Sequence, residues 1–422
     1  MKVLWITNIP LGILEEKIYK KRSNGLWMGA LLDEFAVKKE CNLIVATAIA
    51  SSEIVRVEEN GVVYYGIPSQ FPLLYNENST QNISAWDTVL NQEKPDIIEV
   101  WGTEFTHGLC ALRLASKMQI PSVIYMQGYI GAIARQYLAG ISHKELKKML
   151  TFRDLIKQDT IEQQQKKYYV SIEKEKEMLQ LAGNIIYEND WCGDSICAVV
   201  PEINKYRCPL SVNKIFSEHS WSLSKSESHS VICTASGYPL KGLHMVLKAV
   251  AMLKKDYPDI KLYVPGAKMV SDRSIQWQIR KKGYTKYIEK LIRDLNLQEH
   301  IIWMGYVTQE QLAQQYAKTR VFVLSSSIEN HSSSLKEAMM VGTPSVASAV
   351  GGVPEYVRNG ENGFLYRFEE YEIMAMHVKR LFEDDELATK ISKQGRYDMI
   401  RLHSELDIYN KTISIYKSIL NK

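Results

Sequence analysis

Two glutamates, Glu329 and Glu337, stand with seven residues between them in the last quarter of the chain. Between them lie Asn330, His331, the run Ser332, Ser333 and Ser334, then Leu335 and Lys336. The spacing predicts a short helix over Leu335–Val341, capped by Ser334, ended by Gly342 and barred from continuing by Pro344. Apolar runs on either side, Arg320–Leu324 and Ser345–Val350, read as strands, so the helix would open at the carboxyl edge of a parallel sheet. Backbone N–H groups and the helix dipole there favour a phosphate, and a carboxylate in the first turn can reach a ribose hydroxyl. The competing reading of Glu337 is purely structural, since Ser334 and Glu337 also match an S-x-x-E capping box. For Glu329 it is a solvated loop residue.

The whole string resembles the C-terminal signature of the family-4 retaining glycosyltransferases of GT-B fold. Here it reads Glu329, Glu337-Ala338-Met339, Gly342, Pro344, Val346-Ala347-Ser348 and Gly351 to Glu355. The resemblance implies an α/β chain of two Rossmann-like, doubly wound parallel-sheet domains facing a central cleft. It also implies transfer of a sugar from a nucleotide donor, a UDP-sugar, with retention and without a metal or other cofactor. In that frame Glu329 and Lys241 are the catalytic pair. Glu337 takes the donor ribose, and Asn330, His331, Ser332, Ser333 and Ser334 line the donor site.

A second family element is 234–242, TASGYPLKG, where a strand meets a helix. Lys241 would be the cation for the donor phosphates, with Ser236 and Gly237 in the same loop. Many relatives carry arginine at the position of Ser236, so half of the usual cationic clamp is missing or supplied elsewhere. In the N-terminal half, Gly25-Leu26-Trp27 stands where relatives have a glycine-rich acceptor loop, which assigns Gly25, Trp27 and Gly128 to the acceptor. Gln127 stands where relatives carry a histidine that contacts the donor sugar, and its amide can serve a sugar hydroxyl. The stretch 183–212, with Asp190-Trp191 and Tyr206-Arg207-Cys208, is similar to a capsule and surface-polysaccharide subset.

Composition sets the outer limits. The chain has 422 residues, 45% hydrophobic and 24% charged, enough for two domains with sizeable cores. Its net charge of +4 is too small to imply nucleic acid, and residues 1–210 hold 23 basic against 25 acidic side chains. Six cysteines without C-x-x-C spacing argue against zinc or a disulfide framework and fit a cytoplasmic protein. No window approaches the ~20 apolar residues of a spanning helix. Short apolar runs alternating with helices predict an acceptor-binding domain over 1–215 and a nucleotide-sugar domain over 216–403. The polar segment 211–229 would link them, and a helix at 404–422 would cross back to the first. Residues 141–182 read as one long charged helical stretch. Within 141–167, Lys144, Lys147, Lys148, Arg153, Lys157, Lys166 and Lys167 form either a solvated face or a contact for an anionic membrane. The acceptor implied is then a saccharide, lipid-linked, at the inner face of the membrane. Two rivals stay open: a sugar-nucleotide epimerase of the same fold, and a nucleotide-sugar-binding subunit without catalysis, which Ser236 would favour.

Overall fold

The structure is a computed structural model that describes residues 1–20, 26–69, 78–235, 237–270, 274–403 and 405–421. The chain forms two compact units. One comprises residues 1–130, 170–213 and 403–422, and the other 131–169 and 214–402.

The first unit is built on strands β1 (Lys2–Thr7), β2 (Asn42–Ala50), β3 (Val55–Glu59), β4 (Val62–Ser69), β5 (Ile97–Trp101), β6 (Ser122–Tyr125), β7 (Asn184–Tyr187) and β8 (Asn204–Arg207). Their order is β3-β4-β2-β1-β5-β6-β7-β8, parallel throughout except where β3 runs against β4. The β3–β4 hairpin turns at Asn60-Gly61, both with positive φ, as a tight two-residue turn requires. Successive residues of β1 bury on opposite faces. Leu4 and Ile6 enter one core, while Val3 and Trp5 enter the other. A sheet covered on both sides explains why its strands read as unbroken apolar runs.

The last helix, Glu405–Leu420, supplies part of that second core through Ile408, Tyr409, Ile413, Tyr416 and Ile419. Tyr409 meets Phe35 edge-on at 5.0 Å. The Trp5 Nε1 donates to Tyr416 Oη at 3.0 Å, and Tyr416 in turn donates to Glu99 Oε2. Burial pushes the Glu99 carboxyl up to about 8, so it serves this network largely as a neutral acid at pH 7.

In the second unit the strands are β9 (Glu227–Ile232), β10 (Lys261–Pro265), β11 (Ile301–Gly305), β12 (Thr319–Leu324), β13 (Ser345–Ser348) and β14 (Phe364–Tyr366). All are parallel in the order β11-β10-β9-β12-β13-β14. That is the dinucleotide-fold order, and its direction reverses between β9 and β12.

Three details differ from the sequence reading. The segment 131–169 packs with the second unit, because its polar groups are answered there. Gly283 N donates to Asp154 Oδ2 at 2.7 Å, and Ser327 Oγ to the Gln136 carbonyl at 3.3 Å. The charged stretch is broken into helices His143–Met149, Phe152–Ile156 and Ile161–Ala182. The proposed linker is structured from Ile215 on. Phe216 is fully buried, and Trp221 donates from Nε1 to the Thr319 carbonyl at 2.9 Å. Two apolar anchors in a serine-rich run outweigh its polar composition.

Candidate functional site

Three loops leave the carboxyl ends of β9, β12 and β13 and are stitched together at the reversal point. After β9 the chain makes a 3₁₀ turn, Pro239–Lys241, closed by Gly242 at φ +70°. A Cβ on Gly242 would lie 1.8 Å from the Ser325 carbonyl oxygen, so only glycine lets the two loops approach. Ser325 Oγ donates to the Lys241 carbonyl at 2.8 Å, and Ser327 N to the Leu240 carbonyl at 2.8 Å. On the other side, Gly352 N donates to the Glu329 carbonyl at 3.2 Å. Gly351, at φ +52°, has that same oxygen 1.8 Å from where its Cβ would be. The glycines of both motifs are therefore the points at which neighbouring loops touch.

This stitching brings Lys241 and Glu329 together. Lys241 Nζ donates to Glu329 Oε1 at 2.7 Å, and Ser326 Oγ donates to the same oxygen at 2.6 Å. Burial disfavours the Lys241 ammonium, but the Glu329 carboxylate more than offsets it and holds the lysine charged, above its ordinary range. Glu329 is almost fully enclosed, so it is not a solvated loop residue. The two residues expected to act on phosphate and sugar are thus each other's partner.

The helix after β12 starts earlier than its sequence suggests. It spans Ser333–Val341, and Ser332 is the N-cap, its Oγ accepting from Leu335 N. Ser334 is consequently not the cap, and Glu337 lies in the fifth helical position rather than the third, one turn inside. The S-x-x-E capping box does not form. The amides of Ser333 and Ser334, in the first turn, have no carbonyl of their own helix to donate to. Ser333, Ser334 and Glu337 share one face by helical spacing and are the only residues of the helix that keep partial exposure. Withdrawal of the Glu337 carboxyl from water, with no cation offsetting it, pushes it up to about 7. Asn330 is buried and His331 half-buried in the loop ahead of the cap. Gly237 N donates to Met269 Sδ at 3.3 Å. Ser236 and Gly25 lie outside the described residues.

In the first unit, Gln127 and Gly128 follow β6. The Gln127 Nε2 is buried with no hydrogen-bond partner among the described residues. Sequence reasoning passed over its neighbour Glu104, in the loop after β5, whose Oε2 is likewise buried and unpartnered. Gly102, at φ +82°, lets both approach. A Cβ there would sit 2.4 Å from Glu104 Oε2 and 3.1 Å from Gln127 Cγ. Burial raises the Glu104 carboxyl, and in the same loop pushes His107 down to about 4. The signal in the sequence was the polar cluster Thr103-Glu104 and Thr106-His107 directly after an apolar strand. Trp27 is part-buried against the core, with its Nε1 unpartnered among the described residues. Among the described residues no cluster of three or more His, Cys, Asp or Glu side chains is arranged to hold a metal.

The arrangement at the second unit's sheet edge gathers the Lys241 ammonium, first-turn amides and a stripe of two serines and one carboxylate. Residues 216–398 match the family model of glycosyl transferases group 1. A D-inositol 3-phosphate glycosyltransferase of Streptomyces griseus is 32% identical over 155 residues, 36% of this chain and 31% of that protein. The matched segment spans less than half the length of this and the other curated relatives. Sucrose-phosphate synthase from Thermosynechococcus elongatus superposes with a TM-score of 0.71 at 16% identity, covering 100% of this chain and 99% of that one. Anabaena HepE in complex with UDP and glucose superposes with a TM-score of 0.64 at 16% identity, covering 99% and 100%. The chain has the GT-B fold, and its residues 216–398 carry the sequence pattern of the group 1 glycosyl transferases.

Proposed function

We propose that the chain is a retaining, metal-independent glycosyltransferase. It would move a sugar from a UDP-sugar to a hydroxyl of a lipid-linked saccharide during assembly of a surface polysaccharide. The observation that carries this reading is the pairing of Lys241 with Glu329 at the sheet's reversal point, in the loop that leads within four residues to the partly exposed stripe of Ser333, Ser334 and Glu337. Lys241 and the first-turn amides suit the donor diphosphate, whose charge grows as the glycosidic bond breaks. Glu337 suits the ribose hydroxyls. The incoming diphosphate competes for Lys241 and releases the Glu329 carboxylate toward the transferred sugar. The acceptor oxygen then bonds to the anomeric carbon on the face that UDP leaves, and its proton passes to a donor phosphate oxygen. The UDP in the HepE neighbour supports the choice of base.

The lipid-linked acceptor is supported by a surface on the second unit. Leu150, Phe152, Leu155 and Ile156 are 39%, 74%, 59% and 65% exposed within seven residues. Lys147, Lys148 and Lys157, all exposed, flank them. Nearby acids are engaged elsewhere: Asp154 with Gly283 N and Arg153, Asp159 with Arg153 and Lys167, and Glu162 with His143. An apolar wedge ringed by uncompensated lysines suits the headgroup region of an anionic bilayer at the inner face of the cytoplasmic membrane.

A panel of sugar nucleotides, assayed for donor consumption with excess EDTA and with lipid-linked saccharides, tests the reading. UDP release that requires acceptor, with the α-linkage of an α-donor kept in the product, is expected. Epimer formation without acceptor, inversion, or turnover that returns only with Mg²⁺ or Mn²⁺ refutes it.

A further inference from the structure

The loop after β9 touches a second feature, on its β10 side. A cavity of about 410 Å³ is lined by Gly237, by Lys268 and Met269 after β10, and by Trp277, Arg280 and Lys282 farther along. The volume is that of a small-molecule site. Lys281 lines it too, so four cations face it, and no carboxylate does among the described residues. The wall is braced from behind. The buried Glu289 accepts from Lys281 Nζ at 2.8 Å and from Trp277 Nε1 at 3.1 Å, which holds the lysine and the indole in place. Glu289 answers Lys281, leaving Lys268, Arg280 and Lys282 without an acid partner among the described residues. Gly237 is at φ +113°, and nothing lies within 4 Å of where its Cβ would point, so its conformation leaves that wall open. Three cations gathered on one rim without an acid partner among the described residues make a locally positive field that favours an anion.

We propose that this cavity is a phosphate-binding subsite in which Lys268, Arg280 and Lys282 hold a phosphate group of a substrate. It supplies positive charge beside Gly237, the residue after Ser236, the position at which the family pattern expects an arginine. The phosphate comes either from the donor diphosphate, in which case the inference rests on the donor reading above, or from a phosphorylated acceptor. Arginine forks and lysine point charges both suit phosphate oxygens, and the indole face can cover the group attached to it.

The test is calorimetric titration of the full chain with inorganic pyrophosphate and, separately, with UDP, using wild type and the double variant R280Q/K282Q. Both side chains are exposed, so the melting temperature should hold. Should it not, Lys268→Gln, on a different element, replaces the pair. Pyrophosphate affinity is expected to fall at least tenfold. If UDP affinity falls with it, the donor diphosphate occupies the cavity; if UDP binding is unchanged, the phosphate belongs to the acceptor. Pyrophosphate that binds variant and wild type alike, or binds neither, overturns the proposal. Loss of pyrophosphate binding in R280Q/K282Q, together with UDP affinity unaltered by Glu337→Gln, would remove the donor reading and leave the cavity assignment standing.

Discussion

Replacing Glu337 by glutamine separates its binding role from a packing role through pH. Its partial withdrawal from water, with no cation offsetting it, pushes the Glu337 carboxyl up to about 7 in the free protein. Hydroxyl donors of a ribose favour its ionised form, so binding competence scales with the ionised fraction. With a pKa of about 7 that fraction is roughly one tenth at pH 6 and nine tenths at pH 8. The wild-type affinity attributable to Glu337 should therefore rise about tenfold across this range. UDP itself titrates near pH 6, so the quantity to follow is the ratio of variant to wild-type Kd, in which that contribution cancels. At pH 8 the ratio should reach about 10 to 100, the value of a hydrogen bond to a charged group at roughly 1.5–3 kcal/mol. At pH 6 it should shrink toward unity. Stability moves the other way. A carboxyl raised above its unfolded value stabilises fully below about pH 4.5, and that contribution is lost as pH climbs through about 7. Ligand-free Glu337→Gln should then be more stable than wild type at pH 8 by roughly 1–3 kcal/mol, less whatever solvent reaches the group. Titration calorimetry and thermal melts at pH 6, 7 and 8 measure both. A Kd ratio that stays at unity, or does not change with pH, refutes the reasoning.

Glu329→Ala should cut kcat at least a hundredfold while leaving UDP affinity within about threefold, because its contacts belong to the sugar in the transition state; wild-type turnover would return Glu329 to a structural role. Gly351→Ala forces a Cβ against the Glu329 carbonyl and should cost roughly 2 kcal/mol or more, along with turnover. Unchanged melting and activity would mean that the two loops do not need this contact. Phe152→Glu with Ile156→Glu should abolish co-sedimentation with phosphatidylglycerol vesicles at low salt without changing UDP affinity. Equal sedimentation of variant and wild type would dismiss the wedge.

Much of the molecule was legible because it is local. The apolar runs Arg320–Leu324 and Ser345–Val350 carry β12 and β13 as expected, since strands buried on both faces leave no polar alternation to blur them. Strands β3, β8 and β14 stand at sheet edges, where apolar patterning is weaker. The spacing of Glu329 and Glu337 and the glycines around them located the site. What local pattern could not decide was who meets whom. Lys241 and Glu329 are 88 positions apart and pair only because strand order sets β9 beside β12, so that their loops leave the same edge. Whether Glu337 was a cap turned on where the helix began. Ser332 and Ser334 are equally good caps in sequence, and the loop before them selected the first. Residues 131–169 joined the second unit through contacts such as Asp154 with Gly283, which composition cannot foresee. The cations of the β10-side cavity, scattered from Lys268 to Lys282, become one site only when the loop bearing Gly237 closes against them. Periodicity is a property of neighbours along the chain. A site is a property of loop ends gathered at one sheet edge, and only the tertiary structure gathers them.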